Sequence, residues 1–422
     1  MSGQPSIAGK AKWLDAPALQ RLLAVLGQDG EEARIAGGAV RNALMGQEVS
    51  DVDIATTNRP EQTIRLAEAA GFKAVATGAA HGTITIVADG KPYEVTTLRA
   101  DVDTDGRHAK VRFGRDWKLD AERRDFTINA LYATAAGDVI DFVGGLADLE
   151  SRTLRFIGDP EARIREDYLR ILRFFRFFAW YGAGRPDAEG LKACARLKEG
   201  IDRLSAERVW AELKKLLAAP DPSRALLWMR QAGVLTRILP ESEKWGIDAI
   251  HALVKTEREL GWAPDPLLRL AAIVPPDSVR LEQMAGRLRL SRAEAERLVQ
   301  WAKAAAPLPE RTEGALAKML YRGNPGGVID RLRLALAAAR GRAIEDDRAL
   351  VEAGGFSRQL GFAEAWIRPV FPLKGSDLAE IGVEQGRKLG EMLRELEALW
   401  VEADFTLDRG ALLERAAARV NG

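Results

Sequence analysis

The stretch AGGAVRNALMGQEVSDVDIATT, residues 36–57, constrains this chain more than any other. It holds a glycine pair, Gly37-Gly38, on an expected strand-to-helix turn, and about thirteen residues later the carboxylates Asp51 and Asp53. Val52, Ile54 and Ala55 give the alternating apolar pattern of a strand over 52–55. Residues i and i+2 of a strand point to one face, so Asp51 and Asp53 are expected to project side by side. Adjacent anionic side chains repel unless a cation lies between them, and Mg²⁺ is a hard cation that takes oxygen ligands. Glycines at the turn leave backbone N–H groups open at a helix N-terminus, where an anion is favoured. A cation site beside an anion site suits a nucleoside triphosphate. No Gly-Lys-Ser/Thr follows the glycines and the G-x-G-x-x-G spacing is missing, which excludes a Walker loop and a dinucleotide fingerprint. Aspartates two apart also occur in turns and calcium loops; their conjunction with GGAVR favours the catalytic reading.

Charge narrows the partners little. Lys and Arg number 62 against 61 Asp and Glu, a net charge of +1, so a nucleic acid would have to be held by local basic patches. One cysteine, Cys194, excludes an internal disulfide and fits a reducing compartment. His81, His108 and His251 are scattered, which argues against a zinc or histidine-metal centre. The apolar residues between Leu14 and Leu26 are interrupted by Asp15, Gln20 and Arg21, so no export signal is read there. No run approaches the roughly 20 apolar residues of a membrane span, and the expected location is cytoplasmic.

From about 33 to 157 the texture is mixed α/β. Strands are expected at 33–36, 52–55, 83–87, 93–97 and 139–142, and helices at 60–70 and 124–133. Beyond Ile157 the spacing is helical almost to the end, with Pro/Gly breaks at 182–187, 220–222, 263–266, 275–276 and 306–309. The expectation is one α/β head followed by an elongated helical body.

Further candidates lie downstream. Glu94, on an expected strand, is either a third carboxylate beside Asp51 and Asp53 or a half-exposed strand residue. The segment 99–116 is polar, with Gly106 and Gly114 as hinges, and reads either as a functional loop or as a solvated connection. In RRDFTINAL, Asp125 and Asn129 would share a helix face and hold a ribose, while Arg123 and Arg124 grip phosphates. The alternative is an ordinary helix start with an aspartate favoured by the dipole. A helix from Glu161, EARIREDYLRILRFFRFFAW, would carry Asp167, Arg170, Arg173 and Arg176 around one slowly drifting face. These are either a surface ion-pair ladder or a base reader. An aspartate accepts and an arginine donates, matching the amino group and adjacent ring nitrogen of cytosine or adenine. Uracil and guanine present the reverse order.

GGAVRN, DVDIAT, YEVTTLR, RRDFTINALY, DFVGGLADLESRTLRFIGDP, REDYLRILRFFRF and LSAERVWAELKKLL, in this order, resemble the class II tRNA nucleotidyltransferases. These are the CCA-adding enzymes, which share a superfamily with bacterial poly(A) polymerases. The resemblance is dense over roughly 35–240 and thinner beyond, through FPLKGSDLAEIGVEQGRKLGEML. It implies an α+β polymerase-β-like nucleotidyltransferase head at 1–157, then an all-α neck at 158–220, body at 221–306 and tail at 307–422. It implies template-independent addition of C, C and A to the 3′ end of tRNA from CTP and ATP by two-metal nucleotidyl transfer, releasing pyrophosphate. A poly(A) polymerase or a partial CC- or A-adding enzyme shares these motifs. By the same resemblance Asp51 and Asp53 bind two Mg²⁺ ions and Glu94 is the third carboxylate. Gly37, Gly38 and Arg41 hold the triphosphate, and Arg124 contacts the nucleotide. Glu166, Asp167 and Arg170 form a protein template, with Arg173 and Arg176 in the nucleotide pocket. The segment 99–116 matches a flexible loop, and Gly375, Gly382, Gly386 and Gly390 match tail elements that meet the acceptor-arm tRNA backbone. Asn42 departs from the family's GGxVRD, and DTDGRH departs from its aromatic-plus-DxRRP loop.

Overall fold

A computed structural model describes residues 5–78, 82–105, 108–243 and 246–420. The chain divides into two compact units, Met1–Pro240 and Glu241–Gly422.

The first unit begins with α1 (Pro17–Leu26), β1 (Ala33–Ala36), α2 (Gly38–Leu44), β2 (Asp53–Thr56) and α3 (Pro60–Ala69). Strands β3 (Lys73–Gly78), β4 (Thr83–Ala88) and β5 (Lys91–Thr97) follow. Next come β6 (Arg99–Asp105), β7 (His108–Phe113), α4 (Trp117–Glu122), β8 (Leu131–Ala133), β9 (Val139–Asp141) and α5 (Gly145–Glu150). Seven strands form one sheet in the order β3-β4-β5-β2-β1-β8-β9, and β6 and β7 pair separately. β2 runs antiparallel to β1 and parallel to β5, with Ala36 opposite Asp53 and Asp53 opposite Glu94. The end of β1, the start of β2 and the middle of β5 therefore meet at one end of the sheet. Ala36, Ala55, Leu98, Trp117, Ala121, Ala130, Tyr132 and Ile157 form a buried cluster of this head.

Three expectations are corrected. Residues 124–133 are not a helix: a short 3-10 turn, Thr127–Asn129, leads into β8, whose Tyr132 and Ala133 pair with β1 and β9. Ladder partners on both sides outweigh the helical spacing. The polar segment after Leu98 is not a loop but the antiparallel ribbon β6/β7, joined to the head where Gly114 N–H donates to the Leu98 carbonyl. Gly106, expected as a hinge, lies outside the described residues. Asp51 precedes β2 instead of lying within it.

The helical part of this unit runs α6 (Pro160–Glu166), α7 (Leu169–Tyr181), α8 (Ala188–Arg196), α9 (Ala206–Leu217), α10 (Ser223–Gln231) and α11 (Val234–Ile238). The helix expected from Glu161 is broken at Asp167, whose backbone is extended (φ −153°, ψ 108°). The Asp167 carboxylate accepts from Leu169 N–H at 3.0 Å, the local competition by which aspartate favours helix ends over interiors. The head is wedged onto α7 by aromatic rings: Phe156 stacks on Phe174 at 5.4 Å, and Phe126 meets Phe177 at 5.4 Å.

The second unit is helical among its described residues. Its longest pair, Pro325–Arg342 and Asp347–Ala365, buries Leu332, Leu336, Phe356 and Leu360 in one core. A second core gathers Leu378, Leu396, Trp400 and Leu412. Gly386 precedes the helix Arg387–Glu402 with φ +114°, a conformation that favours glycine. The Pro/Gly breaks read from the sequence fall between helices, except that Pro266, the last residue of one, opens the helix Pro266–Ile273. Among the described residues no helix is long and apolar enough to cross a membrane.

Phe174 is fully buried between head and helix. Phe174→Ala is expected to lower stability by about 3–5 kcal/mol through the cavity it leaves, measurable by urea denaturation of the purified chain.

Candidate active site

β1 ends on Ala36, and the chain reverses into α2 through Gly37 at φ +65°, ψ −117°. A Cβ there would lie 3.1 Å from Arg124 Nη1 and 3.3 Å from the Asn129 carbonyl oxygen. The glycine thus admits both a rare backbone conformation and the close approach of the arginine. Beside this turn opens a cleft of about 610 Å³. Of the residues singled out from the sequence, it is lined by Gly37, Gly38, Arg41, Asp53, Glu94, Arg123, Arg124, Asp125, Asn129, Asp167, Arg170 and Arg173. Asp51, Glu166 and Arg176 are not among its lining residues. Seven arginines, including Arg99 and Arg208, face four carboxylates in the lining, a balance that suits a polyanion.

At the sheet end, crowding protein raises the Asp53 carboxyl above its ordinary range; Glu94 and then Asp51 add to this, against the pull of Arg124. A divalent cation relieves such repulsion, which is the fit expected of a metal site. Among the described residues no three such side chains are drawn into a ready-made cage.

Arg41 is buried yet lines the cleft. Its guanidinium donates to Asn129 Oδ1, to Asn42 Oδ1 from Nε and Nη2 (3.1 and 2.9 Å), and to Tyr181 Oη at 2.7 Å. Asn42 also donates from Nδ2 to the Glu48 carbonyl at 3.0 Å. This gives the departure from GGxVRD a role: Asn42 steadies Arg41 and the segment that leads to Asp51. Asn129 Nδ2 donates to Asp125 Oδ1 at 3.0 Å, so the expected pair meets across a turn instead of along a helix. Arg173 donates from Nε to Asp125 Oδ2 at 2.7 Å. Burial alone would raise the Asp125 carboxyl, but Arg173, Asn129 and Arg170 outweigh it and hold the group below its ordinary range.

On the neck, Asp167 and Arg170 do not pair with each other. Arg208 donates to Asp167 Oδ2 at 2.6 Å, while Arg170 Nη1 donates to Glu166 and, at 2.7 Å, to the Arg163 carbonyl. Arg176 turns away from the cleft to Glu212, 2.5 Å distant, and its guanidinium lies 4.1 Å from the Phe177 ring centroid.

Sequence reasoning missed Asp120, Tyr132, Arg208, Glu212 and Tyr181. Asp120 is buried; its Oδ1 accepts from Arg123 Nε at 2.8 Å, and its Oδ2 from Tyr132 Oη at 2.6 Å and Arg124 Nη2 at 3.2 Å. Its spacing of three and four residues before the two arginines was the available signal. For Arg208 the signal was a cation in the first turn of a helix, against the macrodipole. Tyr132 and Glu212 carry no such mark.

This head sheet with its carboxylates and arginine-lined cleft defines a nucleotidyltransferase of the polymerase-β-like class. A family model described as "Poly A polymerase head domain" matches residues 33–155, and one described as "Probable RNA and SrmB- binding site of polymerase A" matches 185–245. The mouse (Mus musculus) protein named CCA tRNA nucleotidyltransferase 1, mitochondrial, is 35% identical over 94% of this chain and 88% of its own length. The chain belongs to the CCA tRNA nucleotidyltransferase family. Its fold is shared with the Bacillus stearothermophilus CCA-adding enzyme solved in complex with CTP, at a TM-score of 0.70, 24% identity, and 96% and 97% coverage of the two chains. It is shared too with the Thermotoga maritima enzyme complexed with tRNA ending in CCA, at a TM-score of 0.66, 21% identity and 95% coverage of both chains. Nucleotidyltransferases of this family use divalent metal ions.

Burial would raise the Asp120 carboxyl, but Arg124, Arg123 and the Tyr132 hydroxyl hold it below its ordinary range. A carboxyl lowered in the folded state stabilises the fold above its unfolded pKa of about 3.9, and that contribution is lost as pH falls through the folded value. Asp120→Ala is therefore expected to cost about 3–5 kcal/mol near neutral pH by stranding buried cations. Urea midpoints of variant and wild type should converge as the solution is acidified.

Proposed function

We propose that this chain adds C, C and A in turn to the 3′ end of tRNA, using CTP and ATP and releasing pyrophosphate. The observation that carries the reading is one cleft lined both by Asp53 and Glu94 at the sheet end and by Asp167 and Arg170 on the neck. The first pair suits the transfer chemistry, the second the choice of base.

In this reading the backbone at Gly37-Gly38 and the side chains of Arg123 and Arg124 hold the triphosphate. Asp125 and Asn129 meet the ribose, and Arg41 steadies Asn129 from behind. Asp51 and Asp53 would hold Mg²⁺, with Glu94 as the neighbouring third carboxylate. Mg²⁺ bound there would supply Lewis-acid stabilisation of the attacking and leaving oxygens. The tRNA 3′-hydroxyl attacks the α-phosphorus, the bond to the β-phosphate oxygen breaks, and pyrophosphate leaves. Asp167 accepts from an exocyclic amino group and Arg170 donates to the adjacent ring nitrogen, a pairing that cytosine and adenine satisfy. The mouse relative's name and the tRNA complex of the Thermotoga enzyme support a tRNA acceptor. We assign 1–157 to a catalytic head, 158–220 to a nucleotide-selecting neck, 221–306 to a body and 307–422 to an RNA-binding tail. The lone Cys194, buried, suits a reducing compartment such as the cytoplasm, whereas the mouse relative is named for the mitochondrion.

The polymerase wording of the matched family models makes poly(A) synthesis the reading to exclude. Purified protein should be given tRNAs that end before CCA, after C and after CC, with each triphosphate singly. Use of CTP on the first two and of ATP on the third alone is expected; long A tails on unrelated RNA would sink the proposal. Asp53→Ala is expected to reduce incorporation to background while tRNA still shifts in a gel. Continued turnover by that variant would remove the metal assignment.

A further inference from the structure

Opposite charges three positions apart ordinarily pair with one another, and Asp167 and Arg170 would then consume the edge that a base needs. Here each is held by something else. Asp167 takes Leu169 N–H on Oδ1 at 3.0 Å and Arg208 on Oδ2 at 2.6 Å. Both bonds of Arg170, to Glu166 and to the Arg163 carbonyl, end on Nη1. A carboxylate has about four acceptor directions, so two remain on Asp167, and Nε and Nη2 remain on Arg170.

Arg208 reaches Asp167 from α9, in the helix's first turn, where the macrodipole disfavours a cation. Lys214 and Lys215, on the same helix, occupy the last turn, where it favours them. The cation placed against the dipole is the one that lines the cleft. With Leu169 N–H on one oxygen and Arg208 on the other, both ends of the Asp167 carboxylate are tethered and its plane is restrained; Arg208's planar donor is directional where an ammonium is a rotating point charge.

Resting on the function proposed above, we infer that Arg208 is a positioning residue for base choice. It holds Asp167 away from Arg170, so that an acceptor and a donor stay open side by side. It acts through Asp167 and touches no reacting atom.

The test compares kcat/KM for CTP and UTP on tRNA ending before CCA, and for ATP and GTP on tRNA ending in CC. Arg208→Gln is expected to lower both ratios by about tenfold or more, since discrimination is carried by correctly placed polar groups. tRNA affinity, measured alongside, should match wild type, and Asp167→Asn with Arg208→Gln should discriminate no worse than Asp167→Asn alone. Unchanged ratios in the folded variant, or equal losses with right and wrong nucleotides, would overturn the inference. If Arg208→Gln does not fold, Arg208→Lys decides: ratios below wild type support the role and wild-type ratios overturn it. Wild-type protein that adds neither C nor A to these tRNAs overturns the proposed function, and this inference with it. Wild-type CCA addition with unaltered discrimination in the variants overturns this inference alone.

Discussion

The buried contact between Asp125 and Arg173 is the joint on which the site depends. Asp125 belongs to the head, just past α4, and Arg173 to α7, so their bond fixes the sheet end relative to the helix that carries Arg170. It does not stand alone. Asp125 also accepts from Asn129, and Asn129 from Arg41; on the far side Arg173 and Arg176 share Glu212. Donors and acceptors alternate along this line from α2 to α9. A buried ion pair with one partner missing is strongly destabilising, while a completed network is tolerated and defines a single arrangement.

A second network centres on Asp120. Asp120 collects Arg123, Arg124 and Tyr132, and its Oδ1 lies 3.4 Å from the backbone N–H of Arg99, where the β6/β7 ribbon begins. Arginines that line the cleft are therefore not free surface cations. Arg41, Arg123, Arg124, Arg170, Arg173 and Arg208 are each aimed by a carboxylate, an amide or a carbonyl. The guanidiniums of Arg41 and Arg173, and that of Arg176 outside the lining, lie 5.4, 5.3 and 4.1 Å from the centroid of Phe177, an aromatic face that can hold cations close without neutralising them. Such an arrangement keeps positive charge available to an incoming polyanion.

Much of the head was legible in the sequence because its signals are local. Alternation marked β1, β2, β4 and β5, and the spacing of the glycine turn and Asp53 marked two of the groups that strand pairing brings to one end of the sheet; Glu94 stayed open on spacing and was singled out by the family resemblance. The failures share a cause. Residues 124–133 have helical spacing, but β1 and β9 offered β8 a ladder that no local pattern could announce. The polar ribbon has no apolar alternation to reveal it. The break at Asp167 was hidden by helix formers on both sides, and the partners of Asp167, Arg173 and Arg176 lie 36 to 48 residues away in the chain. Roles that rest on such distant partners could not be read from spacing.

The interruption between α6 and α7 has a consequence in the realm of heredity. If the side chains at that break choose the nucleotides, then the terminal sequence of every acceptor RNA is written in no nucleic-acid strand but in a few codons of this protein's own gene. A substitution at Asp167 or Arg170 would then amount to the same spelling change made in all tRNAs of a cell at once. Such a position has little room to drift, because no single RNA could carry a compensating change for the rest.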